Sequence, residues 1–252
     1  SWTAGGRRHV RFRTTAPTAG FFSFLSARYE EATGTWTPPD SSLNRGRPVD
    51  IEVFHHPTHD YNTGRMIDAV KQSLTYYTRP FGPYQSREVR IAEFPRYAGF
   101  AQSFLGTIPY SESVGFIARV DPETDIDYPY YITAHEMGHQ WWGHQVVSGP
   151  VWGATMLVES LAQYSALMVM EKTYGRDKMK RFLEYELDEY LSGRSLESRE
   201  ERPLMTAAAS QGYIHYEKGS LVMYALKKSL GEETANRVRR RFLRVGQIIA
   251  FP

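Results

Sequence analysis

The sequence predicts an α+β protein. Period-two alternation of apolar and polar residues is confined to the part of the chain before Pro129, and helical spacing runs almost unbroken after it. Strands that precede helices, instead of alternating with them, argue against a doubly wound parallel sheet. The length, 252 residues with 41% hydrophobic and 23% charged side chains, suits one large domain or a domain with part of another.

In chain order, residues 10–14 alternate and residues 21–29 are aromatic and β-prone, so both read as strands. Residues 34–48 are rich in Thr, Pro, Ser, Asn and Gly and read as a linker, which sets a domain boundary near residue 45. Residues 49–54 form an alternating strand, and residues 64–78 a helix with Met66, Ala69, Val70, Leu74 and Tyr77 on one face. Residues 89–94 and 113–120 read as two more strands, and the acidic stretch 121–127 as a solvated turn. Five helices follow, over 130–146, 155–173, 176–192, 212–230 and 232–245, the fourth closed by Gly231. Trp141, Trp142, Trp152, Tyr130 and Tyr131 read as core, with a side-chain pocket as the other use of so many aromatics.

Composition excludes several functions. With no Cys there is no disulfide framework, thiolate metal site or cysteine nucleophile, so a metal must be held by His, Asp or Glu. The balance of 30 Lys and Arg against 28 Asp and Glu, net +2, does not point to nucleic acid. The one dense basic run, Arg237 to Arg244, reads as a solvated helix face. No apolar stretch is long enough to cross a bilayer.

The strongest chemical signal is His135-Glu136-Met137-Gly138-His139. On a helix, residues i and i+4 lie about 40° apart, so both imidazoles reach one ion while Glu136 stands beside it to polarise a bound water. A catalytic zinc site takes three protein ligands and leaves the fourth position to water. The third ligand is expected to be Glu159, the one acidic residue between His139 and Glu171, in the otherwise apolar run Met156-Leu157-Val158-Glu159-Ser160-Leu161-Ala162. A carboxylate there is costly unless it meets a cation. His144 competes on paper, but five residues past His139 it points about 140° away on a continuous helix.

These residues, with Gln140-Trp141-Trp142-Gly143 and Tyr216-Glu217-Lys218-Gly219, make the chain resemble the gluzincin zinc aminopeptidases related to aminopeptidase N. The resemblance covers most of the chain from about residue 49 onward. It implies a thermolysin-like catalytic domain over residues 46–252, a small mixed β-sheet followed by a mainly helical lobe with the zinc site between them. Residues 1–45 would then be the tail of a preceding β-rich domain plus linker. It implies one Zn2+ per chain on His135, His139 and Glu159, Glu136 as general base, and Tyr216 donating to the oxyanion of the tetrahedral intermediate. The substrate is expected to be a peptide. Because some family members are embedded in larger membrane proteins, the expected setting is a soluble domain of a membrane-anchored parent.

The chain departs from the family pattern in three places. Residues 140–158 make the gap between the second His and the ligand Glu one residue longer than usual, and Val158 replaces the Asn that usually precedes that Glu. The Gly-Ala-Met-Glu-Asn motif, whose Glu holds the substrate's free α-amine, is absent. With Tyr110-Ser111-Glu112 as anchor, Phe100-Ala101-Gln102-Ser103-Phe104 fills that slot, and Ser103 replaces the amine-binding Glu. Glu112 or Glu93 is left to take over the role. The expected function is therefore zinc-dependent peptide hydrolysis of the aminopeptidase type. The alternatives are a peptidase of altered specificity and a non-enzymatic metal- or peptide-binding domain.

Overall fold

In the computed structural model, residues 1–13 and 18–250 are described, with side chains as far as residue 245. A short antiparallel hairpin, β1 (Trp2–Ala4) and β2 (Arg7–His9), opens the chain. The main sheet has the order β3-β4-β5-β6. Here β3 (Glu30–Trp36) is antiparallel to β4 (Val49–His55), while β4 is parallel to β5 (Glu88–Phe94) and β5 to β6 (Thr107–Ser111). Alternation in β4 produces the expected two faces: Val49, Ile51 and Val53 are fully buried, while Asp50, Glu52 and Phe54 face the other way. The helix α1 (Thr63–Phe81) crosses from β4 to β5 and covers the apolar face with Met66, Ala69, Val70, Leu74 and Tyr77, the stripe read from the sequence.

The rest is a helical lobe: α2 (Tyr128–His139), α3 (Leu161–Tyr174), α4 (Met179–Leu196), α5 (Gly219–Leu230) and α6 (Glu232–Ala250). Two π-turns, Met156–Ser160 and Ile214–Lys218, lead into α3 and α5. The small mixed sheet and mainly helical lobe are the α+β arrangement that the sequence predicts. Buried along almost its whole length, α2 lies against α1 on one side and α3 on the other.

Several elements differ from the sequence reading. In place of the strand expected over 10–14, β2 ends at His9; Val10 to Arg13 lie outside any strand, and Thr14 lies outside the described residues. Residues 21–29 are irregular, and the strand forms over Glu30–Trp36 instead, inside the stretch read in part as linker. All seven of its residues pair with β4, and Trp36 Nε1 donates to Thr75 Oγ1 of α1 at 2.8 Å. The boundary expected near residue 45 thus falls between two hydrogen-bonded neighbours of one sheet. The strand expected over 113–120 is β6 at Thr107–Ser111. Beyond it the backbone turns, because Asn62 Nδ2 donates to the carbonyls of Gly115 (2.7 Å) and Ala118 (2.8 Å) that a strand ladder would use. The helix expected to reach residue 146 stops at His139, since Gly143 takes φ +134° and Trp141 and Trp142 turn into the core.

Tyr130, Tyr131, Trp141 and Trp142 are core residues, as expected; Trp152 is exposed, with Arg202 4.4 Å from its ring centre. The basic run is not wholly solvated: Arg239 is buried 3.8 Å over the ring of Tyr164, while Arg237, Arg241 and Arg244 are exposed.

Candidate metal centre

Three helical segments meet at the site because small residues stand where they touch. A β-carbon on Gly138 of α2 would lie 3.1 Å from Ala162 Cα of α3. At that separation the imidazoles of α2 reach the turn preceding α3. His135 Nε2 and His139 Nε2 are 2.9 Å apart, and Glu159 Oε2 lies 3.5 Å from the first and 3.2 Å from the second. His139 Nδ1 is 3.0 Å from the Trp142 carbonyl, so it carries the proton and leaves the Nε2 lone pair facing the cluster. Here the chain's turn away from helix after His139 has a use: it brings that carbonyl back to the ring.

This donor set fits a divalent cation. Two ring nitrogens face each other with a carboxylate oxygen beside them, and that oxygen is buried without a well-aligned hydrogen bond. Burial disfavours a charged His139, yet the Glu159 carboxylate outweighs it and lifts the imidazole to about 9. Burial likewise opposes ionised Glu159, yet His139 and His135 hold it far below the usual carboxylate range. Both shifts express one demand, a positive charge among the three atoms. Nitrogen and oxygen donors without thiolate, in a set of three, match an open zinc site.

Glu136, also buried, points one atom, Oε2, at no partner. Burial raises its pKa, opposed by His135 and His139, so it is more basic than an exposed carboxylate. The ring of Tyr216 lies 5.7 Å from that of His135, and burial, reinforced by Glu159, raises its phenol. The structure therefore brings His135, Glu136, His139, Glu159 and Tyr216 together.

It does not bring the remaining candidates. His144 Nε2 lies 3.2 Å from the Ser103 carbonyl and is no part of the donor cluster. Glu93 accepts from His59 Nδ1 and the His56 backbone N–H, both at 2.5 Å, and Glu112 lies 3.9 Å from His59 and 3.7 Å from Arg96. These two carboxylates are engaged with those side chains at the ends of β5 and β6. Ser103 is buried: its hydroxyl donates to the Glu136 carbonyl at 3.0 Å and accepts from Gln140 Nε2 at 2.6 Å. Residues 100–104, the segment aligned from the sequence with the family's amine-binding slot, run antiparallel beside β6, bridged at Ala101–Tyr110 and Phe104–Thr107.

One neighbour escapes sequence reasoning. His215 is buried 4.9 Å from the Tyr216 ring, its pKa lowered by burial, and its carbonyl accepts from Ser160 Oγ at 2.5 Å. Its place beside Tyr216 is the only sequence signal that marks it among the chain's 8 His.

Residues 65–247 match the Peptidase family M1 domain, and the chain belongs to that family. It is 26% identical over 194 residues to endoplasmic reticulum aminopeptidase 2 of Homo sapiens, covering 73% of this chain and 20% of that protein. It is 25% identical over 183 residues to probable aminopeptidase 1 of Sulfurisphaera tokodaii, covering 68% of this chain and 22% of that one. The chain thus spans about a fifth of the length of these relatives. Among solved structures, Legionella pneumophila aminopeptidase A in complex with aspartic acid is similar at TM-score 0.65 and 22% identity, over 87% of this chain and 24% of that chain. The M1 zinc metallopeptidase from Deinococcus radiodurans is similar at TM-score 0.57 and 20% identity, over 85% of this chain and 45% of that chain. At these identities the structures speak for the fold.

Proposed function

We propose that this chain is a zinc-dependent peptidase domain that hydrolyses peptide bonds, with His135, His139 and Glu159 as ligands of one zinc ion. The observation that carries the reading is the convergence of His135 Nε2, His139 Nε2 and Glu159 Oε2 within 3.5 Å, on a chain of the M1 family. Bound zinc supplies Lewis acidity, lowering the pKa of a water and polarising the scissile carbonyl. Glu136 takes the proton from the attacking water and delivers it to the leaving amine; its raised pKa suits both halves of that task. The Tyr216 hydroxyl, kept protonated by burial, donates to the oxyanion that develops on the carbonyl. Peptide turnover lost in Glu136→Gln with zinc content intact supports this reading; a zinc-loaded wild type that turns over no peptide refutes it in favour of a binding domain.

The second reading concerns specificity. A family aminopeptidase holds the substrate's free α-amine with a carboxylate from the edge segment; here that slot carries Ser103, whose hydroxyl is already engaged with α2 and Gln140. Glu93 and Glu112 are engaged with His59 and Arg96 instead. The site keeps the hydrolytic groups and lacks a carboxylate at that slot, which favours a peptidase whose preference for a free N-terminus is weakened.

A further inference from the structure

Glu186, on α4, is 0% exposed, and none of the ion pairs among the described residues includes it. Its Oε1 accepts from Tyr131 Oη at 2.8 Å and from Gln163 Nε2 at 2.9 Å; its Oε2 accepts from Ser220 Oγ at 2.6 Å. These three donors come from three different segments, and each stands four residues from a residue of the metal site. Tyr131 precedes His135 on α2, Gln163 follows Glu159 into α3, and Ser220 follows Tyr216 into α5. A spacing of four is about one helical turn, so each donor lies directly behind its site residue. One carboxyl thus joins the three segments a single turn behind the site. Packing α4 against the lobe does not require this: an apolar side chain would fill the position without the cost of a buried carboxyl.

We propose that Glu186 is a positioning residue of the metal site: its carboxyl fixes the spacing of α2, the Glu159 turn and the Tyr216 turn, and metal affinity and turnover depend on this shared acceptor. The proposal rests on the peptidase reading above. A Gln at position 186 keeps one oxygen for Tyr131 and Gln163, and its amide can donate to Ser220 Oγ, whose own proton then goes to the Glu217 carbonyl 2.8 Å away. A Leu at this position breaks all three links at nearly the same volume.

The test compares wild type, Glu186→Gln and Glu186→Leu by three readouts: zinc affinity in competition with a chromophoric chelator, melting temperature with and without zinc, and kcat with KM on one peptide. Glu186→Leu is expected to weaken zinc binding about 10- to 100-fold, the scale for groups that orient a metal's ligands. It should lower kcat with KM little changed, and shrink the gain in melting temperature that zinc confers. Glu186→Gln should restore zinc affinity to within roughly threefold of wild type, since the acceptor geometry survives. If Glu186→Leu does not fold, Gln163→Leu and Ser220→Ala cut single arms: the first should weaken zinc binding, the second should lower kcat with zinc binding intact. Wild-type zinc affinity in Glu186→Leu, with melting temperature lowered equally in both states, overturns the proposal and leaves the metal site standing, as do unchanged values in both single-arm variants. A wild type that binds no zinc overturns the site reading and this proposal with it.

Discussion

Gly219 and Ser160 occupy the same space but for one missing carbon: a β-carbon on Gly219 would overlap Ser160 Oγ and lie 2.7 Å from Ser160 Cβ. Gly219 ends the Tyr216-Glu217-Lys218-Gly219 motif, and Ser160 follows Glu159. Contact between these two residues therefore sets how closely the Tyr216 turn approaches the Glu159 turn. Gly219→Ala should cost about 1–3 kcal/mol of stability through overpacking and reduce turnover by moving Tyr216. Ser160→Gly removes the opposing carbon, so the double variant should recover part of both losses; additive losses in chemical denaturation and activity would show that the two positions are not coupled.

Metal analysis after dialysis should find one zinc per chain. His139→Ala and Glu159→Ala should lose it, whereas His144→Ala should keep it, because His144 is turned to the Ser103 carbonyl. A second equivalent that disappears in Glu93→Gln would place an ion at His59, Glu93 and Glu112, the other group of His and Glu donors within 4.8 Å of one another among the described residues.

Glu136→Gln should retain zinc and lose roughly 100- to 10,000-fold in kcat, as expected when a positioned acid–base group is removed. Tyr216→Phe should retain zinc and raise the barrier by about 3 kcal/mol, the scale of one oxyanion donor. Wild-type rates in Tyr216→Phe would remove the tyrosine from the mechanism and leave Tyr213 as the next to substitute.

Peptides with free and acetylated N-termini and the same leaving group should be hydrolysed with similar kcat/KM. Discrimination above about 1,000-fold, roughly 4 kcal/mol, would require an amine-binding carboxylate elsewhere in the cleft.

Stability should fall as pH rises from about 4.5 to about 7 in chelator, where metal loading plays no part. Burial raises Glu217 from an ordinary 4.5 to about 7, and Glu186 likewise. A carboxyl that binds its proton more tightly when folded favours folding while protonated and loses that advantage as it ionises. Glu217→Gln should flatten the profile by about 1–3 kcal/mol between about pH 4.5 and about pH 7, read as melting temperature; an unchanged slope would place the titration elsewhere.

The helical half and the cluster of His135, His139 and Glu159 were legible because their signals are local. Two His on one turn identify themselves, and a Glu in an apolar run needs a reason. β3 was hidden by its neighbours: its inward residues are Ala32, Gly34 and Trp36, and a β-carbon on Gly34 would lie 2.7 Å from Ile67 of α1, so close packing replaced the large side chains that mark a strand. The true end of α2 depends on a left-handed Gly143 and on where two Trp side chains find room, which no periodicity records. Tyr216 was recognisable only through its motif, and the buried place of His215 is set by the π-turn they share.

Because β3 comes from before residue 46, protection of the sheet depends on a segment remote from the chemistry. Without it, the outer edge of β4 would present unpaired backbone N–H and C=O groups along a strand whose alternate residues are Val49, Ile51 and Val53. Such an edge pairs readily with another copy of itself. A chain trimmed to begin at residue 46 would keep every residue of the proposed metal site, yet is expected to self-associate through β4 more than a chain with β3, which replaces that edge with one carrying exposed Glu30, Glu31, Thr33 and Thr35.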